Sequence, residues 1–405
     1  MQKAALQTGI KRALALGLAC VLGVMACAGL GYNANTGSTI EYGNILGLVE
    51  QNLEVKKAKT TASSSFATED GYQKQLREAQ DSYAEAERTY LDTLRTIRET
   101  SEALNLSEDA YEALVDVVDG VWESQKESIE SGIESVQDGI TAVRFSQQSA
   151  TLAVVSTKQQ QVNAAHQAFL NHFSLLEKKA VVENQLENLK WQISLAEIKL
   201  KRKLIPQISY DTLVDSLSDI ELAMENYDTA LKQNELQLKA ALGIAASASI
   251  RYGKLPDVSA IEQIPLRDRN VDRDAYLSRS LVIENARIGI NKAQSTVDGE
   301  KVETYYEVDN ALLSYEQSVE SVTQQFESTY GALQDSYLAY NNAVKAHNSL
   351  KSEYSRLLKK QKKGQASKNA VRTKKDQLLQ SQYNLKAQKI ELYSQFQLYL
   401  NGLTL

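Results

Sequence analysis

The sequence predicts an all-α protein built from long coiled-coil helical hairpins in two tandem repeats. Only three prolines occur in 405 residues, and because a proline inside a helix costs about 3 kcal/mol, their scarcity permits very long helices. Apolar residues recur every seven positions over long stretches, which is the period of a left-handed coiled coil. Short patterns in the first half of the chain also return in the second half, in the same order.

The beginning of the chain predicts a secretory signal peptide over residues 1–28. Lys3, Lys11 and Arg12 precede an apolar run over residues 13–30 that ends in small residues, an order that is typical of such a leader. A retained membrane anchor is the alternative, because the run approaches the length of about 18 residues that a spanning helix needs. We therefore expect an exported protein of the cell envelope.

Both cysteines of the chain, Cys20 and Cys27, fall inside this leader. The mature protein is therefore expected to lack disulfides and to be stabilised by packing. Residues 24–27 resemble a loose lipobox, which makes Cys27 a candidate lipidation site, whereas residues 26–28 also fit an ordinary cleavage site. Membrane association by a lipid or by a residual anchor stays open at this point.

The first repeat is predicted to span residues 40–243. Helical periodicity begins near residue 45, and residues 104–107 interrupt it, with Ser107 as a natural N-cap for the next helix. A second break, at residues 204–209, lies between long heptad helices and predicts the tip of a helical hairpin. The mostly apolar positions after this tip form two heptad rows: Leu213, Ile220, Tyr227, Asn234 and Ala241, and Leu217, Met224, Leu231 and Leu238.

A linker and a second repeat are predicted to follow. Residues 244–274 form the one long irregular stretch and contain two of the three prolines, which is typical of a linker. The second repeat then spans residues 275–405. Residues 286–363 are predicted to be nearly uninterrupted helix, with a local break near Gly299, and residues 363–367 predict the second hairpin tip.

Three short patterns occur twice and define the duplication. Residues 49–59 resemble 277–287, residues 206–209 resemble 364–367, and residues 240–243 resemble 399–402. The last pattern closes each repeat with a glycine, Gly243 or Gly402, and glycine suits a helix C-cap. Each repeat is therefore predicted to contain an opening helix, a long helix, a tip, a second long helix and a glycine stop.

This order resembles the TolC family of outer membrane efflux proteins over roughly residues 40–405. The opening segment 48–58 follows the family's pattern, with Leu53 in place of a proline. Residues 364–367 fit the family's tip pattern, and Pro206 replaces the glycine of the first tip. The resemblance implies a homotrimer whose hairpins form one hollow α-barrel. It also implies outer-membrane localisation and tips that dock an adaptor (membrane fusion) protein, which works with an inner-membrane pump.

The chain departs from this family in the region of the transmembrane strands. Amphipathic strands need about ten residues of alternating polarity, and only residues 140–157 are rich in β-branched residues. Residues 68–135 instead add helical sequence to the first repeat. The predicted protomer is therefore a TolC-like α-barrel subunit with little or no β-barrel.

The two tips carry the candidate docking residues. By resemblance, these are Pro206, Gln207, Ser209, Asp211, Gly364, Gln365 and Ser367. The second tip is also basic, through Lys362, Lys363, Lys368 and Arg372. This basic tip is either a solvated turn, since cations are favourable at a helix C-terminus, or a surface for an acidic adaptor or lipid headgroups.

The family's acidic entrance does not carry over to this chain. Ala370 and Thr373 occupy the positions at which well-known members have aspartates. The first tip is acidic where the second is basic. We therefore predict that Asp211 or Asp215 pairs with Lys368 or Arg372 across neighbouring hairpins and holds the entrance closed.

The sequence gives little support for enzymatic chemistry. His166, His172 and His347 are isolated on predicted helices, and His347 falls in a heptad row, which favours a seam residue over a metal ligand. No nucleophile or phosphate-binding motif occurs. Charges of both signs are interspersed, with a net charge of −6, so nucleic-acid binding is not indicated. The sequence therefore predicts no catalysis and no cofactor.

Two functions remain. The first is a TolC-like exit duct for small molecules or secreted polypeptide. The alternative is a non-conducting coiled-coil protein, such as a lipoprotein, that tethers layers of the cell envelope. A duct needs a closed oligomer, whereas a tether does not.

Overall fold

The computed structural model describes residues 38–255, 267–297 and 302–404. The predicted signal peptide with Cys27, and also Gly299, lie outside the described residues. Within them the all-α fold class is confirmed, since eight α-helices dominate and two three-residue strands pair in parallel. The elements are β1 Ser38–Ile40, α1 Ile45–Leu48, α2 Leu53–Leu104, α3 Glu108–Lys201, α4 Gln207–Leu242, β2 Ile250–Tyr252, α5 Arg269–Ser278, α6 Leu281–Ser295, α7 Val302–Lys362 and α8 Lys368–Thr404.

Helix α3 is the spine of the first repeat. Its 94 residues span roughly 140 Å at 1.5 Å per residue. The N-terminal half of α3 packs against α2, and the C-terminal half packs against α4. The β-branched segment 140–157 is helical as part of α3, and the added sequence 68–135 belongs to α2 and α3. One continuous helix therefore carries two hairpins that point in opposite directions, an upper one with α2 and a lower one with α4.

The second repeat has the same plan with a much shorter upper hairpin. Helix α7 packs against α6 at its start and against α8 along its C-terminal part. Helix α6 has 15 residues, whereas its counterpart α2 has 52. One helix ends at Ser295, and another begins at Val302 and packs back against it. Residues 286–363 are therefore helical on both sides of the predicted break near Gly299, and this break separates two antiparallel helices.

The two repeats share a core at the waist, the level at which α2 and α6 begin and α4 and α8 end. The fully buried side chains meet here, and they come from all the long helices. The largest are Ile40, Ile45, Val49, Val55, Phe169, Leu238, Leu242, Phe326, Leu333, Leu392 and Tyr399. Most of the remaining helix length is two-helix seam with one solvated face, which explains why the core is small for a chain of this size.

Asn52 holds the waist of the first repeat together. Its Oδ1 accepts hydrogen bonds from the backbone N–H groups of Glu54 (2.8 Å) and Val55 (3.3 Å), so it is the N-cap of α2. Its Nδ2 donates to the carbonyl oxygens of Ala240 and Ala241, each at 3.0 Å, at the end of α4. A single buried amide therefore pairs with free N–H groups at the start of one helix and with free carbonyl groups at the end of another.

The glycine stops of the two repeats differ. Gly243 has φ of +69° and caps α4, and a Cβ there would lie 2.7 Å from the carbonyl oxygen of Gln51. Gly402 lies inside α8, where a Cβ would meet the Tyr276 ring. The predicted C-cap is therefore confirmed for Gly243 and wrong for Gly402, which is needed for close packing against α5 instead. Ser107 is the N-cap of α3, as predicted, although its side chain makes no capping hydrogen bond.

Asn52 and Ser280 occupy matching positions in the duplicated opening segment, and both are N-caps. Ser280 Oγ accepts only the N–H of Ile283, at 3.4 Å. We expect Asn52→Ala to lower the free energy of unfolding by about 2–4 kcal/mol, because it removes a cap and also leaves two buried carbonyls without their donor. The matched Ser280→Ala should lower it by about 1 kcal/mol. Urea unfolding followed by circular dichroism would measure both, and equal losses would contradict the bridging role of Asn52.

Candidate functional site

The lower hairpins of the two repeats lie side by side in one layer of four helices, in the order α4, α3, α8, α7. Antiparallel contacts between α3 and α8 join the repeats. Lys386 Nζ donates to Glu177 Oε1 at 2.8 Å, and Asn401 Nδ2 donates to Asn163 Oδ1 nearer the waist. Because both hairpins begin at the waist and have nearly equal lengths, the two tips lie at the same end of the layer.

The two tips have the same backbone geometry. Lys203 has φ of +55° and Gly364 has φ of +72°. In each tip two successive backbone N–H groups bond back to the end of the preceding helix, which is a Schellman motif. The pairs are Lys203 to Leu200 and Leu204 to Lys199, both at 2.8 Å, and Gly364 to Gln361 and Gln365 to Lys360, both at 2.9 Å. The helix that follows begins four residues after the left-handed residue in both tips, at Gln207 and at Lys368. The alignment of Pro206 with Gly364 is therefore wrong by three residues, and Lys203 is the residue that corresponds to Gly364.

The predicted docking residues are all exposed to solvent. Some of them form hydrogen bonds within their own tip. In the first tip, Gln207 Nε2 donates to Asp211 Oδ1 at 2.8 Å. In the second, Ser367 Oγ accepts from the N–H of Ala370 at 3.1 Å and caps α8. Sequence reasoning missed two apolar side chains of the first tip, Leu204 and Ile208, which are 67% and 72% exposed. Their only signal was their position beside Pro206.

The four residues of the predicted basic tip divide into two groups. Lys362, Lys363 and Lys368 are exposed. Arg372 instead lies 3.9 Å over the Trp191 ring and donates to Asn188 Oδ1 at 3.0 Å, so it joins α8 to α3. Within the described chain, neither Asp211 nor Asp215 pairs with Lys368 or Arg372, so the predicted ion pair does not form inside one subunit.

Next to the tips, over residues 207–226 and 345–363, the outer edges of the layer carry opposite charges. Opposite its seam with α3, helix α4 presents Asp211, Asp215 and Glu225, which lie 5, 9 and 19 residues after Pro206. The other edge, α7, is basic on the face turned away from α8. It presents Lys359, Arg356 and Lys345, which lie 5, 8 and 19 residues before Gly364. Because both helices rise about 1.5 Å per residue, the acidic and basic side chains lie at matching heights above the tips.

Both edges also expose apolar side chains on these same faces. Leu222 and Leu236 on α4 are 58% and 49% exposed, and Leu338 on α7 is 58% exposed. Each edge therefore carries exposed apolar residues as well as charged ones, which is typical of a helix that packs against another helix.

The three histidines pack between elements of the fold. His166 packs against the Tyr42 ring at 4.6 Å, and burial lowers its pKa to about 4. His172 stacks on Tyr252 at 3.5 Å, and burial lowers its pKa as well. His347 Nδ1 lies 3.1 Å from Ser381 Oγ in the α7–α8 seam, as the heptad row predicted. In the described ranges, no group of three or more His, Cys, Asp and Glu side chains is placed to hold a metal ion.

An open cleft at the waist is lined by side-chain amides, among them Asn52, Asn171 and Asn234, together with alanines and other residues. Asn171 Nδ2 donates to Asn234 Oδ1 at 2.9 Å, and Asn234 Nδ2 donates to the Ala168 carbonyl at 2.8 Å. These amides bond to one another and to the backbone, so they hold α3 to α4. Along the described residues, no helix combines the length and the apolarity that a bilayer span requires.

Three solved structures similar to this chain are membrane proteins. VceC, an outer membrane protein of Vibrio cholerae, has 12% identity and a TM-score of 0.43, over 66% of this chain and 75% of that chain. A membrane protein from Pseudomonas aeruginosa has 12% identity and a TM-score of 0.38, over 64% and 73% of the two chains. The CmeC outer membrane channel of Campylobacter jejuni has 12% identity and a TM-score of 0.35, over 68% of each chain.

Sequence comparisons add nothing to these likenesses. No protein-family model matches the chain, and no curated protein matches it.

The shared tip geometry predicts opposite effects of two substitutions. A residue other than glycine in the left-handed region costs about 1–2 kcal/mol. We expect Lys203→Gly to raise the free energy of unfolding by about 0.5–1 kcal/mol and Gly364→Ala to lower it by about 1 kcal/mol. No atom lies within 4 Å of a Cβ built on Gly364, so its loss would be a backbone effect. Chemical denaturation measures both, and a destabilising Lys203→Gly would contradict the assignment.

The contact of Arg372 with Trp191 predicts how firmly the two lower hairpins are joined near their tips. A cation–π contact contributes about 0.5–2 kcal/mol. We expect Arg372→Ala to lower stability by about 1 kcal/mol and to speed hydrogen exchange in α3 around Asn188 and at the start of α8. The matched control is Lys368→Ala, one turn earlier and exposed. If both variants exchanged alike, Arg372 would not be joining the hairpins.

Proposed function

We propose that this chain is the subunit of a TolC-like exit duct, in which copies join edge to edge into a closed helical tube. Substrates, small molecules or secreted polypeptide, leave an inner-membrane transporter through its bore. The observation that carries the proposal is the match between the acidic edge of α4 and the basic edge of α7. The resemblance of the sequence to the TolC family supports it independently.

The argument begins with the open layer. A layer of four helices has two free edges, and each edge exposes apolar side chains that gain by burial, at about 25 cal/mol per Å². An α4 edge against another α4 edge would place Asp211, Asp215 and Glu225 of two copies together. An α4 edge against an α7 edge instead sets carboxylates against Lys359, Arg356 and Lys345. Charge therefore selects head-to-tail contacts, which form a ring when the rotation closes.

Three copies are the number that the family resemblance implies. Twelve lower helices at 8–10 Å between axes would form a circle about 35 Å across, measured between helix axes. Subtracting one helix diameter of about 10 Å leaves a bore of about 25 Å, which is wide enough for small molecules and extended polypeptide. A homotrimer of this design has room for a duct without further elements.

The tips are the proposed docking end for an adaptor protein. They carry the exposed apolar pair Leu204 and Ile208 beside Pro206 in the first hairpin, and Lys362, Lys363 and Lys368 in the second. The first tip is thus apolar and the second is cationic. Such a pair of neighbouring tips suits a helical partner with an apolar stripe and acidic flanks. In a ring of three subunits, three apolar tips and three cationic tips would alternate around the entrance.

A non-conducting tether is the second candidate function. It is favoured by the upper hairpin of α2 and α3, whose 52-residue α2 extends about 78 Å, much farther than its counterpart α6. A long hairpin of this kind can hold two layers of an envelope apart. Tether and duct differ in whether the oligomer encloses a conducting bore.

Oligomer mass tests the proposal directly. We expect the mature protein to form a trimer, measured by light scattering after gel filtration in about 150 mM salt. Reversal of the acidic edge with Asp211→Lys and Asp215→Lys should dissociate it, and adding Arg356→Glu and Lys359→Glu should restore it. The matched control reverses two acids on the outer face of α2, Asp81→Lys and Glu85→Lys, and should leave the trimer intact.

A stable monomer, or a trimer indifferent to the edge reversals, would contradict the proposed assembly. The bore separates the two candidate functions. A trimer with an open central bore in averaged electron-microscope images supports the duct, whereas an oligomer with a closed centre supports the tether.

A further inference from the structure

The upper hairpin has a charge unlike that of the rest of the molecule. Residues 70–140, here called the arm, contain 18 acidic and 6 basic residues, a formal net charge of −12. The whole chain has a net charge of −6, so everything outside the arm sums to +6. The acids are concentrated on α3, which carries 10 of them between Glu108 and Asp138, against one basic residue, Lys126.

The arm is a well-packed hairpin with one defined seam. The Trp122 ring stacks on Tyr90 at 5.0 Å and tilts against Tyr83 at 5.9 Å. Tyr90 Oη donates to Asp119 Oδ1 at 2.8 Å. Farther down, a Cβ on Gly139 would come within 2.7 Å of the Tyr72 ring, so the helices approach closely there. The seam therefore fixes which face of α3 points away from α2.

That outward face of α3 carries an apolar stripe with no partner in the described chain. Leu114, Val117 and Val121 are 45%, 66% and 63% exposed, and their spacing of three and four residues places them on one side of the helix. Below them the face continues with small side chains and forms a shallow groove past Gly120, Ser124 and Ser128. An apolar stripe leading into small residues lets a neighbouring helix approach closely. We call this face, from Leu114 to Ser128, the arm groove.

A row of carboxylates runs along one flank of the arm groove at intervals of three, four or seven residues. Its members are Asp109, Glu112, Asp116, Glu123, Glu127, Glu130, Glu134 and Asp138. All are exposed, and the one ion pair that the row forms within the described chain is Glu123 with Lys126, at 3.8 Å. Like charges at this spacing destabilise a helix. A partner that supplies positive charge would relieve the repulsion.

We propose that the arm groove binds a cationic amphipathic helix of another protein, which packs on α3 as a third helix of the arm. Its apolar residues would cover Leu114, Val117 and Val121, and its lysines or arginines would lie along the carboxylate row. A second copy of this chain would bring a second arm of charge −12 against the first. An anionic lipid surface is disfavoured by the same repulsion. This surface lies on the arm and does not depend on the α4 and α7 edges.

A pair of synthetic peptides tests the chemistry of the groove. Both have 28 residues with leucine at heptad positions a and d, one with lysine and the other with glutamate at e and g. Fluorescence anisotropy with the full mature protein, in about 150 mM salt, should show binding of the lysine peptide and none of the glutamate peptide. Substitution of the stripe by Val117→Ser and Val121→Ser should weaken binding at least fivefold.

A matched pair of charge variants separates the groove from general attraction to an acidic arm. Asp116→Asn, Glu123→Gln and Glu127→Gln remove three charges from the row and should weaken binding roughly fivefold to tenfold. Asp81→Asn, Glu85→Gln and Asp92→Asn remove three charges from the face of α2 turned away from α3. They should change binding less than about twofold. Equal losses in the two triple variants, or unchanged binding after the two valine substitutions, would overturn the proposal.

Two other occupants of the arm groove, a second copy of this chain and an anionic lipid surface, are tested at Val117 and its neighbour Val121. A photo-crosslinking amino acid in place of Val117, in cells that make the protein naturally, should form an adduct whose attached segment is a helix-forming sequence of net positive charge. Adducts consisting only of a second copy of this chain would overturn the proposal. So would binding to phosphatidylglycerol vesicles that Val117→Ser and Val121→Ser abolish, because the groove would then belong to a membrane surface.

Discussion

The side-chain amide of Asn52 meets the start of α2, the end of α4 and the middle of α3, and the layout of the first repeat follows from this junction. Its oxygen accepts two N–H groups of α2, while its nitrogen donates to two carbonyls of α4. These are groups that helix ends otherwise leave without partners. Helices α2 and α4 can therefore succeed each other along the continuous α3 without a break in packing. One spine thus serves two hairpins, one directed up and one directed down.

In the second repeat, different side chains hold the helix ends together at the waist. Ser280 caps α6 alone, and α5 supplies the additional contacts at the end of α8. Arg267 donates twice to Asp272, at 2.6 and 2.8 Å, and the hydrogen bonds from this guanidinium hold the pKa of the Asp272 carboxyl below its usual range. Tyr399 Oη also donates to Asp272. The final helices of the two lower hairpins, α4 and α8, have nearly equal lengths of 36 and 37 residues, whereas the upper helices α2 and α6 differ more than threefold in length.

Local signals in the sequence predicted the parts of the fold that depend on neighbouring residues. Heptad rows predicted the long helices, and the breaks at residues 104–107 and 363–367 predicted turns, because capping and left-handed residues act over one turn. Lys203 was missed because a lysine gives no signal for a positive φ. The matching charges of α4 and α7 were also missed, because they depend on which helices become edges. That order follows from contacts such as Lys386 with Glu177, 209 residues apart.

Because of the distribution of charge, two copies of the molecule attract each other at the lower end and repel each other at the arms. At the lower end, acidic and basic groups lie on different edges, so two copies attract when α4 meets α7 and repel when like edges meet. In the arm, one sign dominates, so any two arms repel. Row members three or four residues apart have Cβ atoms about 5–6 Å apart. This is less than the Debye length of about 8 Å at physiological salt, so the repulsion is only partly screened. A chain that associates with itself through its lower edges therefore keeps the outward face of α3 open to a partner of opposite charge.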